Sequence, residues 1–225
     1  RPIKGIINIV EKLRSHGIKE IFLPIENLET SSIIDGVKLI GARNLKDIFL
    51  HLKNEKIIKN EENINNFKDN NDGIILDDII SQEQAKRALT IAIAGRHNIL
   101  LTGPPGTGKT MLAQAALNLL PPLSKSELLE VLKIHGLVDE INSNISRPFR
   151  TPHHTASKVS IIGGGSKALP GEISLAHNGV LFLDEMPEFP KSILESLRQP
   201  LEDRKITITR TNRKSSYPAN FMLIA

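Results

Sequence analysis

Two strings in this chain combine residue types that can handle phosphate and water. The first is Gly103-Pro104-Pro105-Gly106-Thr107-Gly108-Lys109-Thr110. It matches the P-loop pattern of a glycine, four residues, then Gly-Lys-Thr. Glycines let a backbone curl until successive N–H groups face phosphate oxygens. A helix beginning there presents its N-terminus to the same anion. Lys109 is expected to reach the β- and γ-phosphates of ATP, and the Thr110 hydroxyl to ligate Mg²⁺. Met111 completes the set expected to line the nucleotide. The second string is Val180-Leu181-Phe182-Leu183-Asp184-Glu185, four apolar residues and two acids, the Walker-B arrangement. Asp184 is expected to hold Mg²⁺, usually through water. Glu185 is expected to orient the attacking water or accept its proton. Alone, the two acids could equally cap a helix; the P-loop upstream favours the catalytic role.

These residues need rigid supports. Asn98–Leu101 reads as a strand entering the P-loop, and Met111–Leu119 as the helix leaving it, stopped by Pro121-Pro122. Ser81–Ala94 reads as a helix with Ser81 as its cap. Val180–Leu183 has the all-apolar character of a buried parallel strand. Lys191–Leu201 reads as one helix. Ile206–Thr209 alternates and Thr211–Ser216 is polar, which suggests a β-hairpin. Alternating strands and helices predict an α/β fold, a parallel sheet flanked by helices. Upstream, Ile6, Ile9, Val10 and Leu13 share a helical face closed by Gly17. Ile21–Leu23 and Val37–Ile40 read as short strands, and Leu45–Leu52 as an amphipathic helix. Residues 54–73, rich in Lys, Glu, Asn and Asp, have the composition of a solvated linker. The expected organisation is therefore a module at 1–53, a linker at 54–73 and a nucleotide-binding core at 74–225.

Composition narrows the classes. With 225 residues and 40% hydrophobic content, the chain can bury a core without staples. It has no cysteine, which excludes a disulfide framework and thiolate metal sites within it. No apolar run approaches the ~20 residues of a membrane span, so no membrane partner is expected. No signal peptide opens the chain and no Met initiates it. A cytoplasmic piece of a longer protein is the expectation. The net charge of +4 is compatible with nucleic acid. One Tyr and no Trp argue against a base-stacking platform.

The P-loop and the Asp184-Glu185 pair together resemble an AAA+ ATPase. Asp78-Ile79-Ile80-Ser81-Gln82 is similar to the segment that cradles adenine in that superfamily. Further strings follow in order: Arg147-Pro-Phe-Arg150-Thr-Pro-His153-His154-Thr155, Gly163-Gly-Gly165, Pro170-Gly-Glu-Ile-Ser-Leu-Ala-His177-Asn-Gly-Val180 and Leu197-Arg-Gln-Pro-Leu-Glu202. From about Asp77 to Ala225 this series resembles the ComM/YifB family of magnesium-chelatase-like proteins. The resemblance implies an insertion in the second helix, fitted by residues 156–172, and a hairpin before the sensor-1 strand, fitted by 205–217. It also implies that sensor 1, an arginine finger and a helical lid lie past Ala225. In related ring helicases such hairpins touch DNA. Lys205, Arg210, Arg213 and Lys214, beside Arg204, make this one basic, as phosphate tracking requires; a solvated hairpin with ordinary surface charge is the competing reading. His153-His154 reads as a structural turn or helix start, or less readily as a two-histidine metal site.

Residues 1–53 resemble the end of a Lon-type protease domain, which that family carries before its ATPase. Aligned on Gly17 and Pro24, Ile9 or Ile7 falls where the catalytic lysine belongs, so the module is expected to be non-proteolytic. The resemblance implies a homo-oligomeric, hexameric ring ATPase with ATP and Mg²⁺. It implies a DNA helicase or branch-migration factor in recombination or natural transformation. The alternative is a magnesium-chelatase-type chaperone ATPase driving metal insertion through a partner. A protease-associated regulator is a third reading, weakened by the absent Ser and Lys.

Overall fold

The computed structural model describes residues 1–58, 73–104, 106–138, 146–210 and 213–225. Most of the expected linker, and Pro105, lie outside these residues. The chain divides into two compact units, residues 1–68 with 125–145, and residues 69–124 with 146–225. The units thus interleave along the sequence, where a simple succession was expected.

The first unit opens with α1 (Ile6–Ser15). Gly17 closes it as expected: at φ 83° its N–H reaches Arg14 O at 2.9 Å, and the Ile18 N–H reaches Leu13 O at 3.2 Å. This is a Schellman ending, where a left-handed glycine satisfies the last carbonyls. The buried face is Ile6, Ile7 and Val10. Ile9, expected on that face, is 44% exposed, because it sits ~100° round the helix from the centre of the other three. Strand β1 (Glu20–Pro24) pairs in parallel with β2 (Lys38–Ala42), and α2 (Leu28–Ser31) lies between them in sequence. Helix α3 (Leu45–Leu52) is capped by Asn44, whose side chain accepts from the Asp47 N–H. Its Leu45, Phe49 and Leu52 stay exposed, so its amphipathic pattern is not matched by packing among the described residues.

Helices α4 (Glu83–Ala94) and α5 (Lys109–Leu119) belong to the second unit. The next helix, α6 (Lys125–Val138), belongs to the first; sequence reasoning assigned no element there. It packs on α1: Gly136 O accepts the Gly5 N–H at 2.9 Å, and Lys133 Nζ meets Glu11 at 2.6 Å.

In the second unit, β3 (Phe149–Arg150) leads to α7 (Lys158–Ile162), the antiparallel pair β4 (Gly163–Gly164) and β5 (Leu169–Pro170), then α8 (Glu172–Leu175). A small two-stranded hairpin thus separates the short helices α7 and α8. Strand β6 (Val180–Phe182) follows, then α9 (Lys191–Ser196) and α10 (Arg198–Asp203). The single helix expected at 191–201 breaks at Leu197 because Pro200 has no N–H for the Ser196 carbonyl. The hairpin of β7 (Lys205–Arg210) and β8 (Arg213–Pro218) is antiparallel, and β9 (Met222–Ile224) completes the elements.

The sheet is parallel in the order β3-β6-β9. Ile99 bridges to Ile224 in parallel on the far side of β9. The strand expected at 98–101 is reduced to this edge: Ile99 and Leu101 donate to Leu223 O and Ala225 O, while the Asn98 side chain accepts from the Leu223 N–H. β6 is central and fully buried, as its apolar run predicted. Gly179 makes room for β3: a Cβ there would lie 2.0 Å from Pro148 O. Ala113, Ala115 and Ala116 are buried in the core that α4, α5 and the sheet share. α4 begins at Glu83, not at a Ser81 cap; Ser81 and Gln82 are both left-handed, and Gln82 caps without a side-chain bond. Among the described residues no helix is long and apolar enough to cross a membrane.

Candidate nucleotide site

Loops leaving the carboxyl ends of parallel strands converge on one edge of such a sheet. Here the loops after Leu101, β3 and β6 frame a cleft of about 1060 Å³. Of the residues expected to act, Gly103, Gly106, Thr107, Gly108, Lys109, Thr110, Met111, Asp184 and Glu185 all line it. Pro104 contributes its carbonyl to the loop, accepting from Thr107 Oγ1 at 3.0 Å. Gly106 and Gly108 hold φ of 79° and 82°, a conformation that favours glycine. Gly108 then serves as N-cap of α5, whose first N–H groups lack intrahelical partners.

Lys109 departs from its expected pose. Its ammonium donates to the carbonyls of Gly103 and Pro104, both at 2.9 Å. A hydrogen bond from a charged group is worth about 1.5–3 kcal/mol net, and an anionic phosphate is a stronger partner for the ammonium than these neutral carbonyls, so it can displace them. Thr110 Oγ1 donates to Asp184 Oδ2 at 3.3 Å, and Asp184 Oδ1 accepts the Glu185 N–H at 3.0 Å. A hydroxyl and a carboxylate oxygen thus adjoin beside the phosphate loop. Mg²⁺ favours this set, one or two protein oxygens plus phosphates and water, so the residues present fit the cation. Glu185 is left-handed at φ 52°, ψ 48°, and its side chain is 69% exposed toward the cleft. Gln82 Nε2 donates to Thr107 O at 3.3 Å, joining the segment likened to an adenine cradle to the loop.

Sequence reasoning singled out His154 as part of a structural turn or a metal pair and gave it no place in the nucleotide cleft. It lines the same cleft, with Nδ1 3.9 Å from Glu185 Oε2. Its position in the loop four residues after a strand end was the available signal, obscured because β3 has only two residues. The Arg150–Glu172 ion pair, at 2.8 Å from Nη2 to Oε1, was also missed; it ties β3 to α8. Among the described residues, no group of three or more His, Asp or Glu could hold a metal ion.

The basic residues expected to meet DNA lie on the β7–β8 hairpin. The register pairs Arg210 with Arg213, Thr209 with Lys214 and Lys205 with Pro218. Lys205 therefore sits at the base, ~17 Å along the strand from Arg210, and Arg210, Arg213 and Lys214 fall at the opposite end of the paired register. Ile206 and Ile208 are buried on one face, and Tyr217 Oη donates to Ala168 O at 2.7 Å. The hairpin base is thereby fastened to the loop between β4 and β5.

A family model described as magnesium chelatase, subunit ChlI, matches residues 75–225. The competence protein ComM of Haemophilus influenzae is 45% identical over 235 residues, taking in all of this chain and 45% of ComM. YifB of Salmonella typhimurium is 56% identical over 153 residues, 67% of this chain and 30% of YifB. RuvB of Thermotoga petrophila, named as a subunit of the Holliday junction branch migration complex, is 30% identical over 140 residues, 59% of this chain and 33% of RuvB. The chain spans less than half the length of each of these relatives. With the P-loop and the Asp184-Glu185 pair lining one cleft at the same edge of a parallel sheet, and with that match across residues 75–225, the chain belongs to the magnesium chelatase ChlI-subunit family of AAA+ proteins, and within it is similar to ComM and YifB.

Proposed function

We propose that this chain is the ATP-hydrolysing core of a homo-oligomeric, hexameric ring motor in the cytoplasm. The ring acts on DNA in the branch migration of recombination intermediates, including those of natural transformation. For hydrolysis, the support is the convergence of Lys109, Thr110, Asp184 and Glu185 on one cleft. The loop N–H groups and Lys109 hold the β- and γ-phosphates. Thr110 and Asp184 would hold Mg²⁺, which neutralises phosphate charge as the γ-phosphoryl group departs. Glu185 takes a proton from the attacking water, whose oxygen bonds to the γ-phosphorus while the bond to the ADP oxygen breaks. An arginine supplied by a neighbouring subunit, as the family resemblance implies, would add to the rate; such fingers reach ~10³- to 10⁵-fold in related P-loop enzymes.

The observation that carries the DNA reading is the hairpin, fastened at its base and bearing Arg210, Arg213 and Lys214 at its turn. A projection tipped with cations suits a phosphate backbone. ComM is named for competence and RuvB for Holliday-junction branch migration, which favours the same side. A chelatase-type chaperone ATPase that drives metal insertion through a partner is the second reading, favoured by the family description itself.

Replacing Arg210, Arg213 and Lys214 by Ala separates the two. Each neutralised phosphate contributes about −0.7 to the log–log salt slope on single strands. The triple variant of the intact protein is expected to bind single-stranded DNA more weakly, with a slope shallower by up to about 2 units, while ring assembly and basal ATPase persist. An assembled variant with an unchanged slope would shift the weight to the metal-chaperone reading.

Residues 1–53 we read as part of a non-proteolytic Lon-type domain. Ile7 is buried and Ile9 faces solvent; neither offers an amine to activate a serine. The intact protein should leave casein uncut with ATP present, and cleavage that survives purification would refute this.

A further inference from the structure

We propose that a second, small cavity in the nucleotide-binding unit binds one phosphate ion or terminal phosphate group, apart from the ATP cleft and independently of the DNA reading above. The cavity measures about 60 Å³, and Arg96, Arg147 and Arg204 are among the residues that line it. None of its lining residues is acidic. Gly179 and Asn220 place it at the amino ends of β6 and β9, whereas the ATP cleft lies at the carboxyl ends. Helix α5 starts at the ATP cleft with Lys109 and ends next to Leu120, which lines the small cavity. At 1.5 Å per residue that helix is ~17 Å long, so the two sites are distinct. With ~15 Å³ for each water-sized group, the space takes about four of them, as many as a phosphate has oxygens. A nucleoside does not fit, since small-molecule pockets run to ~300 Å³ or more.

The three arginines reach this cavity in two ways. Arg147 is buried, 7% exposed. Its Nε and Nη1 donate to the carbonyls of Pro121 and Asn178, both at 2.6 Å, and its Nη2 to Pro122 O at 3.3 Å. These carbonyls orient the guanidinium and, being neutral, do not cancel its charge. Arg96 and Arg204 are exposed and stand at φ 51° and 54°, just past the ends of α4 and α10. Glycine takes that left-handed conformation without steric cost, and arginine does not. Backbone strain of this kind collects at functional sites. Two helix ends that glycine would close with less strain instead bring guanidinium groups to one cavity. Each guanidinium is a planar fork that meets a phosphate with paired N–H donors. A phosphate group carries about −1.5 to −2 at pH 7, more than a carboxylate can, so a wall of three cations favours phosphate.

The test is titration calorimetry of inorganic phosphate into the intact protein, its ATP cleft filled with Mg²⁺ and a non-hydrolysable ATP analogue. One phosphate is expected to bind per chain beyond the analogue. Arg96→Gly and Arg204→Gly should each raise the dissociation constant ~10-fold or more, the effect of losing a hydrogen-bonded charged partner. Both variants should fold, because glycine takes the left-handed turn without strain; if either does not, Arg96→Gln or Arg204→Gln reads the same loss. The Arg210, Arg213 and Lys214 triple Ala variant should bind phosphate as wild type does. Phenyl phosphate bound more tightly than inorganic phosphate would assign the site to the terminal phosphate of a larger molecule, and the reverse to the free ion. No saturable binding to wild type, affinity unchanged in both Gly variants, affinity lost in the triple variant, or acetate bound as tightly as phosphate would each overturn the proposal. So would a shallower salt slope for single-stranded DNA in the Gly variants, which would make the cavity a contact for the strand backbone.

Discussion

Lys109 is the point charge of the phosphate loop, and no other described lysine or arginine lines the cleft. Lys109→Ala is therefore expected to weaken ATP binding at least ~10-fold, because a compact ammonium on two phosphates cannot be replaced by backbone dipoles alone. Titration of a fluorescent ATP analogue checks this, and equal affinities would remove Lys109 from the site. The chemistry of this loop was legible because each residue acts through its own side chain or backbone at fixed spacing. The lysine's pose was not legible, since it depends on which carbonyls the folded loop offers. His154 was illegible for a different reason. It meets Glu185 only because β3 and β6 are neighbours in the sheet, and strand order is not written in local periodicity. Ser81 shows the converse error. Its type suits a cap, yet the left-handed turn at Ser81 and Gln82 shifts the helix start.

At the scale of elements, α1, α5, β1, β2 and the β7–β8 hairpin were recovered, while α6, β3 and the reduced Ile99 edge were not. The β7–β8 hairpin was readable from its alternation, because one face must be buried. β3, with two residues, and the Ile99 edge leave too little sequence to show a period. Tyr217 joins the hairpin to the loop between β4 and β5 through its bond to Ala168 O. Tyr217→Phe is expected to cost about 1 kcal/mol, read as a lower thermal midpoint with ATP-analogue affinity unchanged. Burial pushes the Tyr217 hydroxyl above its ordinary range. A raised folded-state pKa means the contribution is complete below the ordinary tyrosine value of about 10 and is lost as pH rises through the higher folded value. The wild-type advantage over Tyr217→Phe should then shrink from about pH 10 upward. An advantage constant across that range would show that the hydroxyl makes no pH-sensitive bond.

At the scale of the whole molecule, the interleaving of the two units is the feature furthest from the sequence reading. Helix α6 lies in sequence between two stretches of the nucleotide-binding unit, and it is part of the N-terminal one. Its Leu128, Val131, Leu132 and Ile134 are buried, and α1 supplies the Gly5, Asn8 and Glu11 contacts that hold it. Sequence position gave no hint of this, because a helix states which face is apolar but not which unit it faces. The consequence is testable. A fragment of residues 69–225 keeps α6 but removes α1 and the two short strands of the first unit. Four large side chains, each worth ~1.5–3 kcal/mol on burial, would then meet water. The fragment is expected to bind an apolar dye and to self-associate in sedimentation. Replacing residues 125–145 by a short Gly/Ser linker in the same fragment should abolish both behaviours, while the P-loop and the Asp184-Glu185 pair still bind ATP. A fragment that is monodisperse and dye-silent with α6 present would mean that α6 does not depend on the first unit. The boundary would then revert to the contiguous one read from sequence, with a nucleotide-binding core running unbroken from residue 74.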